Sequence, residues 1–531
     1  MKRNTLTTAV LAGLTGMAGM VSVSNAVNVN PDGLGQVLLY PYYSARGGND
    51  TLISIVNTTN QAKAVKVRFI EALNSREVLD FNLYLSPYDV WTSAVTADGD
   101  GAKMITSDTS CTVPYFQGGV PGDVGEQEFL TFQYTAAGRN DGGPQGRERT
   151  ASGYIEMIEM GTLRDGSPGF DAVKHTSAGV PPLSGAGNTR CGLVVERWLP
   201  DSNLGVWESD DPFIDMYTED GGQERIPASG GLFGSATIMN AAEGTMLSYN
   251  ATAIDGFWIG AATHTDPGDL LPGLSSGSGD TAFVFNNGQL ETLDYSLADD
   301  GLEGILAINA VLTVDALMNE YVIESDVNAN TEWVLTFPTK RFHTDAAPGG
   351  FLAAGDAAIA PFTATWTVDA AGIADPSCEE QSFRFWDREE QEPEDRPGEI
   401  IVSPPPPPGE TPTFELCREA NVVRFANDGS LPEYTEILKE ALRDDPYEDL
   451  GYVNFGIPEA FQSGWVRFDF GDYESLGDAG GQTVIGLPVI GFQATTFNWG
   501  DMPTQDGGTV LANYGAAFNH RGSRSFGFEA D

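Results

Sequence analysis

Four histidines, His175, His264, His343 and His520, are all that the 531-residue chain offers for proton transfer near neutral pH. The triplet His-Thr-Asp occurs twice, at His264-Thr265-Asp266 and His343-Thr344-Asp345. Brought together by the fold, the two triplets would make an acid–base pair or a metal site. Two unconnected surface loops are the commoner outcome, and the chain has no HExxH and no i, i+4 pair of histidines. Gly273 to Gly277 reads GLSSG, the letters of a nucleophile elbow. That motif needs a strand before its serine and a helix after it. Here it lies in PGDLLPGLSSGSGD, which has the composition of a loop. Among 75 Asp and Glu residues, carboxylate pairs of the glycosidase kind arise by chance and carry no information.

Oxygen-ligand chemistry is better served. Asp98 and Asp100 in ADGDGAK, Asp210, Asp211 and Asp215 in ESDDPFIDMYTEDGGQE, and Asp299, Asp300 and Glu303 in LADDGLEG place carboxylates on glycine-bent loops. These are the candidate Ca²⁺ ligands, and Ca²⁺ is the one cofactor the sequence suggests. None of the three loops has the twelve-residue spacing of an EF-hand. Tyr40, Tyr42 and Tyr43 in LYPYYS form a candidate strip for stacking sugars, although packing inside an opening strand is the commoner use. The four cysteines, Cys111, Cys191, Cys378 and Cys417, form no CxxC, which disfavours thiol redox chemistry and a zinc knuckle. Sequence proximity pairs them as Cys111–Cys191 and Cys378–Cys417.

The elements that must position these residues are strands. From Gln36 to Val95 the chain reads GQVLLYPYY, TLISIVN, KAVKVRF, REVLDFNLYL and DVWTSAV, separated by RGGND, NTTNQ and LSPYD. Val65, Val67 and Phe69 alternate with Lys66 and Arg68, which predicts one buried and one wet face. TLISIVN and KAVKVRF read as a hairpin. With 63 Gly and 31 Pro, the composition predicts a mainly β fold, immunoglobulin-like sandwiches with large loop-rich insertions and few short helices. One helix is expected in GILAINAVLTVDALMNEYVI. Another is expected in LPEYTEILKEALRDD, with Tyr434, Ile437, Leu438, Ala441 and Leu442 on one face.

Lys2 and Arg3 precede an apolar run that ends at Ser24-Asn25-Ala26, which predicts a secretory signal over residues 1–26 and an exported mature chain. No later stretch is apolar and long enough to span a bilayer, and no Cys follows the run to take a lipid. The formal charge of −47 becomes −49 once that segment, with its two cations and no acid, is gone. Such a field excludes nucleic acid and anionic lipid as primary partners. It suits a solvated acidic face, saline water or Ca²⁺ binding.

Five segments follow from this reading. Residues 1–26 are the signal and 27–105 half of an N-terminal sandwich. Residues 106–377 are a β-rich middle, and 378–417 an acidic, proline-rich excursion closed by a disulfide. Residues 418–531 are a second half whose strands at Trp465–Phe470, Val484–Phe497 and Val510–Phe518 cover the first. The segments LLYPYYSARGGNDTLISIVNTTNQAKAVKVRF, NSREVLDFNLYLSPYDVW, GYIEMIEMG, TEWVLTFPTKRF and GLPVIGFQATTF resemble a family of uncharacterised exported proteins of Gram-negative bacteria. The resemblance implies the periplasm or the cell surface and brings no activity or site residues with it. The expected function is therefore a non-enzymatic structural, adhesive or surface-layer role, with surface polysaccharide or other copies of the chain as partners. An exported hydrolase or a polysaccharide-binding protein is the alternative.

Overall fold

Val65, Val67 and Phe69 point into a core shared with Ile53, Ile55, Trp91, Val95, Ala236 and Ile238. That core lies between two antiparallel sheets. One has seven strands in the order Asn28–Val29, Thr252–Asp255, Val37–Ser44, Ser152–Leu163, Ala62–Glu71, Glu77–Leu85, Cys111–Val113. The other has six, in the order Thr245–Asn250, Leu232–Asn240, Asn49–Asn57, Val90–Asp98, Gly101–Thr106, Gly125–Glu128. In this computed structural model the described residues are 26–116, 124–163, 165–175, 190–196, 228–260, 262–298, 301–346, 350–392, 413–427 and 429–528. Their class is mainly β, as predicted. The two sheets carry more strands than the seven of an immunoglobulin constant domain.

The expected hairpin is not formed. Asn49–Asn57 pairs with Leu232–Asn240 and Val90–Asp98, whereas Ala62–Glu71 pairs with Ser152–Leu163 and Glu77–Leu85. Residues 58–61 carry the chain from one sheet to the other. The reason lies in the second faces of the strands. Lys66 and Arg68, expected in water, are fully buried, and they need the carboxylates of Asp80, Glu77 and Glu156 that only the neighbours in the seven-stranded sheet supply.

Cover for Val65, Val67 and Phe69 comes from residues 49–57, 90–106 and 232–250, so the middle of the chain completes the first sandwich. The C-terminal strands expected in that role build a second one. Its outer sheet runs Thr413–Leu416, Glu379–Asp387, Ser463–Asp469, Ala316–Val322, Arg521–Ser523. Its inner sheet runs Val453–Gly456, Ala420–Ala426, Ala329–Thr336, Ile490–Pro503, Thr509–Asn519. Trp333, Phe383, Phe425, Phe455 and Phe468 fill the space between them. The inner sheet also meets the first sandwich, where Val334, Val422, Phe492 and Ala494 join the cluster of Tyr42 and Leu247. Phe492 stacks on Tyr249 at 4.6 Å between ring centroids.

Both cysteine pairs are bonded as spacing predicts, Cys111 to Cys191 and Cys378 to Cys417. Residues 393–412 of the proline-rich excursion lie outside the described residues. The helix Glu303–Leu312 forms from the first half of its segment. It ends where Thr313 Oγ1 donates to the Asn309 carbonyl at 2.7 Å, and the second half becomes the strand Ala316–Val322. The expected helix over 431–445 is absent. Lys439 takes a φ of 58°, and the amides of Ile437 and Leu438 donate to the buried Glu332 carboxylate at 2.6 and 2.9 Å. A side chain from another strand has claimed the amides that a helix would use.

Candidate functional site

Charged side chains of both signs are buried. Among the described residues ten Lys and Arg side chains are buried: Arg46, Lys63, Lys66, Arg68, Arg76, Arg149, Lys340, Arg341, Arg418 and Arg424. Arg149 with Arg76, Arg418 with Arg46, and Arg68 sit in networks with shared or several carboxylates, whereas Lys63, Lys66 and Arg424 each hold one carboxylate and Lys340 donates to backbone carbonyls. Arg149 donates through Nη1 to Asp141 and through Nη2 to Glu71, both at 2.8 Å, and lies over the Tyr134 ring at 4.3 Å. Arg76 Nη2 donates to Asp345 at 2.6 Å, and Asn74 Nδ2 donates to Asp345 and Asp141. Burial pushes the Asp141 carboxyl up, but Arg149 and Arg76 outweigh it and hold the group well below the usual carboxylate range.

A second network joins the sandwiches directly. Glu440 accepts from Tyr42 Oη at 2.8 Å and lies 3.1 Å from Arg418 Nη2 and 3.5 Å from Arg46 Nε. Burial again raises this carboxyl, and again the arginines win and hold it low. Ser44 Oγ to the Leu438 carbonyl, Asn49 Nδ2 to the Ile437 carbonyl and Thr336 Oγ1 to the Pro41 carbonyl fix the same seam.

The chemistry-bearing motifs serve these networks. His264 shares a hydrogen bond of 3.1 Å with Tyr84, and the Asp266 carbonyl accepts from Lys66 Nζ at 2.7 Å. The loop that follows crosses the Arg68 head, so close that a Cβ on Gly273 would meet Nη1 at 2.7 Å. GLSSG is part of this cover. Leu274–Ser276 is a single 3₁₀ turn, without the strand and helix an elbow needs. In the second triplet, His343 is buried and lies 2.7 Å from the Asn309 amide, while Asp345 is the carboxylate bound by Arg76. The two triplets are not brought together. Burial lowers His343 to about 4, and His520, bonded to the Val334 carbonyl, also to about 4. His264, under burial and the Lys66 charge, falls to about 3. These three imidazoles are neutral at pH 7.

Tyr40, Tyr42 and Tyr43 are fully buried, their hydroxyls donating to Ser54, Glu440 and Thr150, so they form no surface strip. Of the Ca²⁺ candidates, Asp98 accepts from Arg147 at 2.7 Å, Asp100 is exposed at a turn, and Glu303 accepts from the Gly301 amide at 3.0 Å. Asp210, Asp211, Asp215, Asp299 and Asp300 lie outside the described residues. The one grouping of metal-type donors among the described residues, Cys378, Glu415 and Cys417, contains the disulfide.

Open grooves on the described surface include two of similar size. One, of about 400 Å³, crosses the outer face of the six-stranded sheet and is lined by Leu52, Ser54, Thr92, Ile105, Ser235 and Thr237. The other, of about 410 Å³, lies at the seam of the sandwiches beside Pro41, Val489, His520 and Arg524. The first has hydroxyls and methyls and no charge. Sequence reasoning missed both because their residues come from strands far apart in the chain. No protein-family model, curated protein or solved structure matches this chain.

Among the described residues ten buried Lys and Arg are matched by eleven buried Asp and Glu, so the exterior keeps nearly all of the formal charge of −47. Self-repulsion between exposed acids is screened over about 30 Å at 0.01 M salt and about 10 Å at 0.1 M. The melting temperature should therefore climb with NaCl across that range, and climb again with millimolar Ca²⁺ if the acidic loops bind it. A melting curve insensitive to both would contradict the self-repulsion of the acidic exterior and the Ca²⁺ expectation together.

Proposed function

We propose that this chain is an exported, non-enzymatic protein with a structural, adhesive or surface-layer role, akin to the uncharacterised Gram-negative exported proteins it resembles. The observation that carries the reading is the seam around Glu440, where buried arginines weld two sandwiches into one body under an acid-rich exterior. Three histidines are spent inside that body on structural hydrogen bonds, and the open groove on the six-stranded sheet is lined by uncharged groups. A rigid body and an uncharged groove suit holding and presenting better than proton transfer. Two disulfides suit an oxidising compartment. Among the described residues no helix is long and apolar enough to cross a membrane.

Export is tested by fractionating expressing cells and weighing the intact chain. The expected species begins at Val27, is found outside the cytoplasm and has no free thiol. A chain that begins at Met1 and stays in the cytoplasm with reduced cysteines would overturn the reading.

A further inference from the structure

The seam around Glu440 holds more guanidinium than its acids can pair. Arg46 Nε lies 3.5 Å from Glu440 Oε1, and Arg418 Nη2 lies 3.1 Å from Oε2. Both oxygens have a second claimant, since the Ala441 amide donates to Oε1 at 3.1 Å and the Tyr42 hydroxyl to Oε2 at 2.8 Å. One cation and one hydrogen bond at each oxygen use the four lone-pair sites of the carboxylate. Arg46 gives its Nη2 to the Glu148 carbonyl and its Nε to Ser152 Oγ. Arg443 Nη1 stands 3.8 Å from Glu148 Oε1, too far for a hydrogen bond. Glu71, which shares the surroundings of Tyr43 with Glu440, is taken by Arg149. Setting aside the nitrogen that faces Glu440, four guanidinium nitrogens are left. Nε and Nη1 of Arg418 and Nε and Nη2 of Arg443 are buried and donate to no acceptor among the described residues.

Buried donors of this kind find a partner in protein, water or ligand. Water answers their hydrogen bonds but not their charge. Three guanidiniums face one fully buried carboxylate and a second, Glu148, whose side chain is 36% exposed. Burial and the charge of Arg46 push Arg443 down to about 10, with Arg418 adding to the fall and Glu440 and Glu148 opposing it. We propose that Arg418 and Arg443, together with the charge of Arg46, bind a small inorganic anion of the chloride class at this seam. The excess of buried cation selects an anion. The Arg418 side chain is 1% exposed and that of Arg443 only 12%, so the anion must be compact enough to shed its water. Arg443, the least buried of the three, and the half-open Glu148 mark the side on which it enters. Arg46 belongs to the first sandwich and Arg418 to the second, so an anion held by both adds to their union. Because the unfolded chain has no such site, occupancy stabilises the fold by mass action.

Sodium chloride and sodium gluconate at matched ionic strength test this on the full chain. Screening is then the same in both, and gluconate is too large for the site. The parent should melt higher in chloride, by an increment that saturates with concentration. Below the melting temperature, the quadrupolar NMR line of chloride should broaden in proportion to added protein and narrow again as bromide competes. Arg443→Gln removes a partly exposed side chain that makes no hydrogen bond among the described residues. The variant should keep the parent melting temperature in gluconate, lose the chloride increment and weaken chloride binding by about tenfold or more. Equal melting in the two salts with no broadening that bromide reverses would overturn the proposal. A chloride increment or a bromide-sensitive broadening that survives unchanged in Arg443→Gln would overturn it too, by placing the anion elsewhere.

Discussion

Arg149→Met should cost the protein about 3–5 kcal/mol, the usual penalty for removing one partner of a buried ion pair. Arg149 is buried between Glu71 and Asp141, and neither carboxylate has water to turn to. Glu71 is committed further, since it accepts from the amides of Leu73, Asn74 and Arg76. Loss of the guanidinium thus leaves two buried anions, one of them shaping the turn that leads to Arg76 and Asp345. The matched control lies two residues away. Arg147 pairs with Asp98 at 2.7 Å, but both side chains are about a third exposed, and Arg147→Gln should cost under about 1 kcal/mol. Denaturant midpoints of the two variants and the parent measure the difference. Equal, small losses would show that the buried network contributes nothing beyond a surface pair.

Stability should trace a dome in pH, highest near 6.5 and falling on both sides. Burial raises Glu332 to about 7, against the opposing amides of Leu438 and Ile437, and raises Glu419 to about 8 against Lys340. Both folded values lie above the unfolded value of about 4.3. Their contribution is complete below that value and is lost as pH rises through the folded ones. His343, His520 and His264 have folded values of about 4, 4 and 3, below the unfolded 6.5 or so. What they contribute is complete above that value and is lost as pH falls through theirs. In the overlap three imidazole slopes outweigh two carboxyl slopes, so stability still rises with pH there, less steeply than the imidazoles alone would make it. Above 6.5 only the carboxyl slope remains. Below 4.5 the imidazole loss is joined by Asp141 and Glu440, whose carboxylates are held low by arginines. Glu332→Gln removes the ionisation but leaves one acceptor oxygen where the carboxylate uses two, Oε1 for the Ile437 amide and Oε2 for Leu438 and Thr435. Whatever that lost partner costs at both pH values, the variant should gain about 3 kcal/mol on the parent between pH 5 and pH 8, from a shift of roughly 2.5 units at 1.36 kcal/mol each. Unfolding free energies at these two pH values check it, and a difference from the parent of equal size at both would contradict the assignment.

Strand positions were legible because alternation is local. GQVLLYPYY, TLISIVN, KAVKVRF and DVWTSAV each form where their pattern places them. Which strands pair was not legible. The four residues between Asn57 and Ala62 fit a hairpin as well as a crossing between sheets, and what decides is the demand of Lys66 and Arg68 for acids on distant strands. The same blindness put those two cations in water, because nothing near them in sequence announces that residues 264–273 fold over them. The stretch around Ile437 has a helical apolar period, yet Glu332, a hundred residues earlier, takes its amides. The cysteine pairs were legible, since each joins its nearer neighbour. Trp386 and Trp465 were readable as residues but not as a pair, because only the register of two strands about 80 residues apart sets them opposite each other.

The seam between the sandwiches is where the whole reading is most exposed to test. Differential scanning calorimetry of the processed chain at pH 5.5 in 0.5 M NaCl measures it directly. If the ionic network around Glu440 and the shared core of Tyr42, Tyr249 and Phe492 hold the halves as one body, a single transition is expected, with calorimetric and van't Hoff enthalpies equal. Glu440→Gln, which leaves Arg418 and Arg46 without their shared carboxylate, should split that transition in two. Two separate transitions already present in the parent would contradict the claim that the sandwiches are one rigid unit.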